Sequence, residues 1–479
     1  MKIVKNFLFN VSYQVFILLV PLVTTPYISR VLGSEGVGIN AYTNSIIQYF
    51  ILFGSIGIST YGNRQIAYSR GNARDVSQDF WEISILRFLT IAISYIAFLI
   101  YLNFVSQYHG FFFAQSFQII AAAFDISWLF MGLENFKITV LRNFVVKIIS
   151  LVCIFTMVKT ENDLGTYILI LSLSLLVGNL SLWGYLKRYI SKPDFKNLKI
   201  FKHIKPSISL FIPQVAIQIY LVLNKTMLGS ISGVKSAGYF EYSDRIVKIV
   251  LAVVTSIGTV MLPRMASIYA SRDFGKLKQY MYTTGDFINF LSIPLMFGLA
   301  AIAPKFSVWF MGEEFAITGN LMIVESAVIF LIGWGVMLGN QYLIPTNQTG
   351  KYTWAVSISA LVNLVLNVPL IYSIGVMGAT IATVASEITS TGLQLFFIRR
   401  QIEIPKLFKG LWKYLLSGLI MFLIVRYLNN IFTMTIVTLA TEVVAGALIY
   451  VILCLVLRAP FITVVKDFIT ESRSKKRED

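Results

Sequence analysis

The amino-acid sequence predicts an all-α integral membrane protein with about 14 transmembrane helices, and three observations carry that prediction. Of 479 residues, 56% are hydrophobic and only 13% charged, about half the charge of a soluble protein. Apolar windows of about 20 residues, the length that crosses a bilayer core, recur along the chain. The 40 lysines and arginines collect in alternate connections between those windows. A mean hydropathy of +0.73 at this length excludes an ordinary cytosolic enzyme.

The windows lie near residues 8–32, 38–62, 83–104, 110–131, 138–158, 166–186, 207–230, 236–262, 287–309, 320–342, 352–375, 376–398, 411–430 and 433–457. The first has the basic start and apolar run of a secretory signal. No A-x-A cleavage site follows, however, and the run continues through Pro21 and Pro26 to Leu32, so it reads as a span. With both ends cytoplasmic, the inner connections hold Arg64, Arg70 and Arg74, then Lys187 to Lys205, Arg264 to Lys278, Arg399 to Lys413 and Arg458 to Arg477. Roughly thirty basic residues fall inside, against Arg30, Lys159, Lys235 and Lys305 outside. Removing one span inverts every later connection. Removing the last pair does not, so twelve spans is the alternative.

The net charge of +17 is therefore topology rather than a nucleic-acid footprint, because almost every basic residue flanks an apolar run. Cys153 and Cys454 lie inside apolar runs, and His109 and His203 sit in unrelated segments. All four read as structural, with no disulfide framework and no metal site expected. No connection is long enough to fold alone. Residues 194–205 place Phe195, Leu198, Phe201 and Ile204 at helical spacing among lysines, the pattern of an amphipathic helix on the inner leaflet. The ending SRSKKRED reads as a charged, disordered tail.

Positions about 200 apart match weakly. Residues 30–33 face 225–229, and 37–46 face 237–246, pairing Gly38 with Gly238, Tyr42 with Tyr242 and Ile46 with Ile246. Pro21 and Pro26 interrupt the first span of one set and Pro213 that of the other, marking candidate helix breaks and gates. Six spans per repeat give two halves of one orientation around a central cavity. The expected organisation is an N-terminal half at 1–190, an amphipathic linker and C-terminal half at 191–405, and an added helix pair with its tail at 406–479.

Ionisable groups inside spans are costly, so each is a candidate for function. Arg87 and Glu325 lie close enough to a span end to reach water, and Arg426 and Glu442, on the added pair, are expected to snorkel or pair with each other. Lys147, Arg245, Lys248 and Glu387 fall roughly 13 to 18 Å deep, with Asp125 nearer the cytoplasm. Glu241 with Arg245 and Asp244 with Lys248 are spaced i,i+4 and could neutralise each other. Arg30 and Lys225 occupy equivalent places in the two halves. Cations outnumber carboxylates here, which suits an anionic headgroup: Arg30, Lys147, Lys225, Arg245 and Lys248 are its candidate ligands. Asp125, Asp244 and Glu387 are candidates for coupling to H⁺ or Na⁺. Tyr13, Tyr42, Tyr220 and Tyr242 could stack on sugars, though packing explains each as well.

The run ProLeuValThrThrProTyrIleSerArgValLeuGly (21–33), followed by GluGlyValGlyIleAsnAlaTyr (35–42), resembles the opening of Wzx-type repeat-unit flippases. These are the polysaccharide transporters of the multidrug/oligosaccharidyl-lipid/polysaccharide (MOP) exporter superfamily. The resemblance implies transport of undecaprenyl-pyrophosphate-linked oligosaccharide from inner to outer leaflet of the bacterial cell membrane by alternating access, without enzymatic activity. It implies a polysaccharide polymerase and glycosyltransferases as neighbouring partners. Related lipid II flippases use basic residues on the first spans of each half, to which Arg30 and Arg245 are the nearest counterparts. The alternative within the superfamily is an ion-coupled exporter of cationic drugs, whose members typically carry a carboxylate in span 1. None occurs between Leu8 and Leu32. A membrane enzyme acting on the same lipid would need a sizeable external loop with acidic or basic catalytic residues. No Walker A pattern is present, so nucleotide hydrolysis is not the drive.

Overall fold

The computed structural model describes residues 2–192 and 198–461, which are helical and contain no strand. The acidic and basic tail and Phe195 lie outside the described residues. Among those described, ten helices are long and apolar enough to cross a membrane, or 11 if the bent pair Glu313–Glu325 and Ala327–Leu343 is one crossing. The predicted windows at 8–32, 38–62 and 207–230 lie on further helices introduced below. The chain divides into two compact units, Met1–Gly238 and Tyr239–Asp479.

In the first unit, α1 (Lys2–Ser55) spans the first predicted window and most of the second. Its non-helical residue is Gly33, at φ 64° and ψ −178°, a conformation that costs glycine little and other residues much. The helix breaks there rather than at Pro21 and Pro26, which stay inside it. Nearby side chains occupy backbone carbonyls around the prolines: Thr24 Oγ1 donates to Val20 O at 3.0 Å, and Ser29 Oγ and Arg30 Nη1 donate to Pro26 O at 3.2 and 3.0 Å. Following α1 are α2 (Ile58–Ser69), α3 (Ala73–Phe104), α4 (His109–Ala123), α5 (Ser127–Gly132), α6 (Phe136–Met157), α7 (Leu164–Trp183) and α8 (Ile204–Ile231). Helix α1 packs against α3, α4, α6 and α8. Phe16 meets Phe144 at 4.5 Å between ring centroids, and Tyr27 Oη donates to Val158 O at 2.6 Å. Around α2, α5 and the first turns of α3, a core gathers Ile58, Phe80, Ile83, Trp128 and Phe130.

Lipid offers little hydrophobic drive between helices, so close approach at small residues matters. A Cβ on Gly38 would lie 2.0 Å from Val234 O, and one on Gly229 would lie 2.1 Å from the Tyr42 ring. A Cβ on Gly238 would lie 3.0 Å from Gly38 Cα. Gly38 and Gly238, matched by the internal repeat, thus touch.

The second unit contains most of α9 (Val234–Ala270), then α10 (Phe274–Met311), α11 (Ala316–Glu325), α12 (Ala327–Leu338), α13 (Thr349–Ile374), α14 (Val376–Ile398), α15 (Ile404–Leu407), α16 (Leu411–Ile431) and α17 (Ile436–Val456). Helix α10 packs against α11, α12 and α16, and α13 against α14. Polar hooks fasten the last pair. Lys305 Nζ donates to Asn430 O and Phe432 O at 2.9 and 3.0 Å, at the C-terminal end of α16 where a cation is favoured. Arg426 donates to Ala301 O at 3.1 Å, and Glu442 accepts from Asn429 Nδ2 at 3.0 Å. Each of these two charges takes a partner of its own, in place of the mutual pair the sequence offers.

Candidate functional site

Two predicted spans are broken where a charge sits. Span 4 is interrupted between α4 and α5, and Asp125 occupies the break, accepting from Ser127 N at 3.0 Å. Its other oxygen lies 3.5 Å from Arg87 Nη2. Arg87 does not reach water: its side chain is 4% exposed, and it also donates to Ala122 O at 2.5 Å and Ser59 Oγ at 3.0 Å. A buried guanidinium needs these partners. Span 10 bends by 44° at Glu325, which is buried and accepts from Ser243 Oγ on α9.

The i,i+4 pairs on α9 form as their spacing predicts. Arg245 Nη2 lies 2.5 Å from Glu241 Oε1 and Lys248 Nζ 2.8 Å from Asp244 Oδ2. Arg245 also lies over the Tyr242 ring, 5.1 Å from its centroid. These residues, with Ser243 and Glu325, make one charged cluster in the second unit. In the first unit, Arg30 is exposed on α1, Lys147 is half-buried on α6, and Lys225 is half-buried on α8. Both α6 and α8 pack against α1, so the fold gathers the helices bearing these three cations. Pro213 lies within α8; its side chain, and those of Tyr13 and Tyr220, fall outside the described residues.

Glu387 is buried on α14 within a polar stripe: Thr380, Thr383, Ser390, Thr391 and Gln394 are buried on the same helix. Across the seam, α13 contributes buried Ser359, Asn363 and Asn367 at i,i+4 spacing, and Ser359 Oγ donates to Ser386 O at 2.8 Å. Asn363 and Asn367 were not singled out from the sequence, because uncharged amides inside an apolar window barely lower its hydropathy. Their helical period was the available signal.

Away from the spans, Leu198 to Lys205 do not make a continuous amphipathic helix. A 3-10 turn, Ile200–His203, leads into α8; it exposes Phe201 and buries His203. His203 meets Asp79 and Glu82, a group that no spacing along the chain reveals. Burial pushes the His203 imidazole below its ordinary 6.5.

A model of the family described as "Polysaccharide biosynthesis protein" matches residues 3–269. The chain belongs to this family. It is a polysaccharide flippase, and a second model, "Lipid II flippase MurJ", matches residues 140–456. Two proteins named "Putative O-antigen transporter" are similar. The one from Shigella dysenteriae is 22% identical over 77% of this chain and 93% of its own. The one from Escherichia coli K12 is 25% identical over 80% and 93%. Among solved structures, a lipid II flippase MurJ in an inward closed conformation superposes with TM-score 0.73 at 18% identity, covering 95% of this chain and 100% of that one. An inward-facing multidrug resistance MATE family transporter gives 0.62 at 14% identity, over 81% and 96%. These likenesses establish the fold. The flippase of this family is not an enzyme.

Proposed function

We propose that the chain moves lipid-linked oligosaccharide repeat units, carried on undecaprenyl pyrophosphate, from the inner to the outer leaflet of the cell membrane by alternating access, for capsule, exopolysaccharide or O-antigen. The observation that carries this reading is the polysaccharide biosynthesis match over residues 3–269; the O-antigen transporter relatives support it. Fourteen spans, cytoplasmic termini and two six-span halves belong to the proposal.

The pyrophosphate is assigned to Arg30, Lys147, Lys225, Arg245 and Lys248. Arg245 donates to Glu241, and a guanidinium is a five-donor fork of the kind that binds phosphate in bidentate fashion. Coupling to H⁺ or Na⁺ is assigned among Asp125, Asp244 and Glu387. Asp125 is paired with Arg87 and Asp244 with Lys248, and Glu387 is buried in the polar stripe of α14. The test is reconstitution into liposomes with an undecaprenyl-pyrophosphate oligosaccharide and a lectin that reads only the outer leaflet. Exposure faster than in protein-free liposomes, lost in the R245A/K248A double variant, is expected. Folded wild-type protein that leaves the rate at the protein-free level overturns the reading.

A further inference from the structure

The connection between α7 and α8 carries a buried set of donor atoms that transport of a lipid-linked sugar does not use. Asp79 and Glu82 stand one turn apart near the start of α3, and His203 reaches them from the 3-10 turn before α8. Their side chains are 8%, 0% and 0% exposed. His203 Nε2 lies 2.8 Å from Glu82 Oε2 and 4.0 Å from Asp79 Oδ1, and the three atoms all lie within 4.8 Å of one another.

Each donor is held from behind by a neutral group. Asp79 Oδ2 accepts from Gln65 Nε2 at 2.9 Å and from the Ser69 hydroxyl. Glu82 Oε1 accepts from Gln78 Nε2 at 3.0 Å and from the Lys199 backbone N–H at 2.7 Å. His203 Nδ1 is 2.6 Å from Tyr61 Oη. The outer atoms are thereby occupied, and Oδ1, Oε2 and Nε2 converge on one point. Metal sites are organised this way, with outer partners fixing the orientation of the ligands. The convergence already attracts a cation: Lys202 Nζ lies 2.6 Å from Glu82 Oε2 and 3.5 Å from Asp79 Oδ1, on a side chain 42% exposed. The two buried carboxylates outnumber the one ammonium beside them, and unmatched buried charge is costly. A divalent ion in place of the ammonium balances it.

We propose that Asp79, Glu82 and His203 bind a divalent transition-metal ion of the zinc type, in exchange for the Lys202 ammonium, which swings out to solvent. Two carboxylate oxygens and one imidazole nitrogen are ordinary zinc ligands, with bonds of about 2.0–2.2 Å and a water in the fourth position. Such bonds set tetrahedral ligands about 3.3 Å apart, a distance that the observed 2.8 and 4.0 Å bracket. Nδ1 then carries the imidazole proton and donates it to Tyr61 Oη. The metal would fasten the connection before α8 to α3.

The test uses the full chain without an affinity tag, purified in detergent and stripped with a chelator, then titrated with Zn²⁺ by calorimetry and with Co²⁺ by visible absorption. One ion per chain is expected, with H203A and E82Q each weakening binding at least tenfold. The decisive variant is K202M, which keeps all three ligands and removes the competing cation. It should bind at least tenfold tighter and show a larger rise in Tm on adding Zn²⁺ than wild type. Q65A, which frees Asp79 from an outer partner, should weaken binding about 10–100-fold. Absence of stoichiometric uptake by wild type, uptake that survives in H203A and E82Q, or K202M binding no tighter than wild type overturns the proposal.

Discussion

Arg245 and Arg87 are both buried or half-buried guanidiniums with a carboxylate partner, yet their settings set different expectations. Arg245 is 29% exposed and is paired with Glu241 on its own helix. Removing that competitor should free it for a phosphate, so E241Q is expected to retain or raise flipping in proteoliposomes. R245A should lower it roughly 10–100-fold, the loss of one or two charge-assisted hydrogen bonds of about 1.5–3 kcal/mol in all. Equal losses in both variants would mean that the pair only holds α9 together. Arg87 is structural: it bridges α3 to the break between α4 and α5 through Asp125 and Ala122 O. D125N leaves a buried cation without its counter-charge while keeping the shape. A cost of about 2 kcal/mol is expected, below the 3–5 kcal/mol of a fully buried pair because Asp125 is 24% exposed. Thermal unfolding in detergent measures it, and an unchanged Tm would remove Arg87 from this role and strengthen Asp125 among the coupling candidates.

At the scale of helices, what the sequence disclosed depends on how far apart the interacting residues lie. Apolar windows and the i,i+4 pairs on α9 are local, and both appear in the helices as expected. The turn inside α1 falls at Gly33, in the gap at 33–37 between the first two apolar windows. The Arg87–Asp125, Ser243–Glu325 and His203–Glu82 contacts join residues 38, 82 and 121 positions apart, and no periodicity records such pairs. Glycine contacts lie between these cases. The repeat singled out Gly38 for its match, and the structure supplies the physical reason, a backbone carbonyl 2.0 Å from where its Cβ would be. G38A therefore forces two helix backbones apart, with an expected cost of about 3 kcal/mol, the upper end for overpacking. In G229A the obstacle is the Tyr42 side chain, so Y42S should recover part of the loss, whereas no side-chain trimming rescues G38A. G110A, with nothing within 4 Å, should stay within about 0.5 kcal/mol of wild type. Equal melting temperatures for G38A and G110A would show that α1 does not approach Val234 so closely.

For the whole molecule, the drive is an electrical question, since the proposed cargo carries negative charge and no nucleotide-binding pattern accompanies it. Moving one elementary charge across 100 mV is worth about 2.3 kcal/mol, so a pyrophosphate with about two negative charges gains about twice that on leaving an inside-negative cell. The bias reaches at most about 2,000-fold in the distribution between leaflets at 100 mV. Cations of the protein that travel with the headgroup reduce it, because the charge crossing the field is then the difference between cargo and carrier. Two of the five assigned cations are compensated already, Arg245 by Glu241 and Lys248 by Asp244, so the cargo sets the sign of the dependence provided that the other three together carry fewer than two charges across the field. Transport in proteoliposomes set to defined potentials with K⁺ and valinomycin is therefore expected to accelerate with the negative side on the face where cargo is loaded, and to slow on reversal. Neutralising a carboxylate that stays paired with its cation, as in D244N, adds one positive charge to the carrier and should flatten this dependence. A rate indifferent to potential in wild type but sensitive to a pH or Na⁺ gradient would move the drive to coupled-ion entry at Glu387, and E387Q should then abolish the gradient response while leaving exchange between leaflets intact.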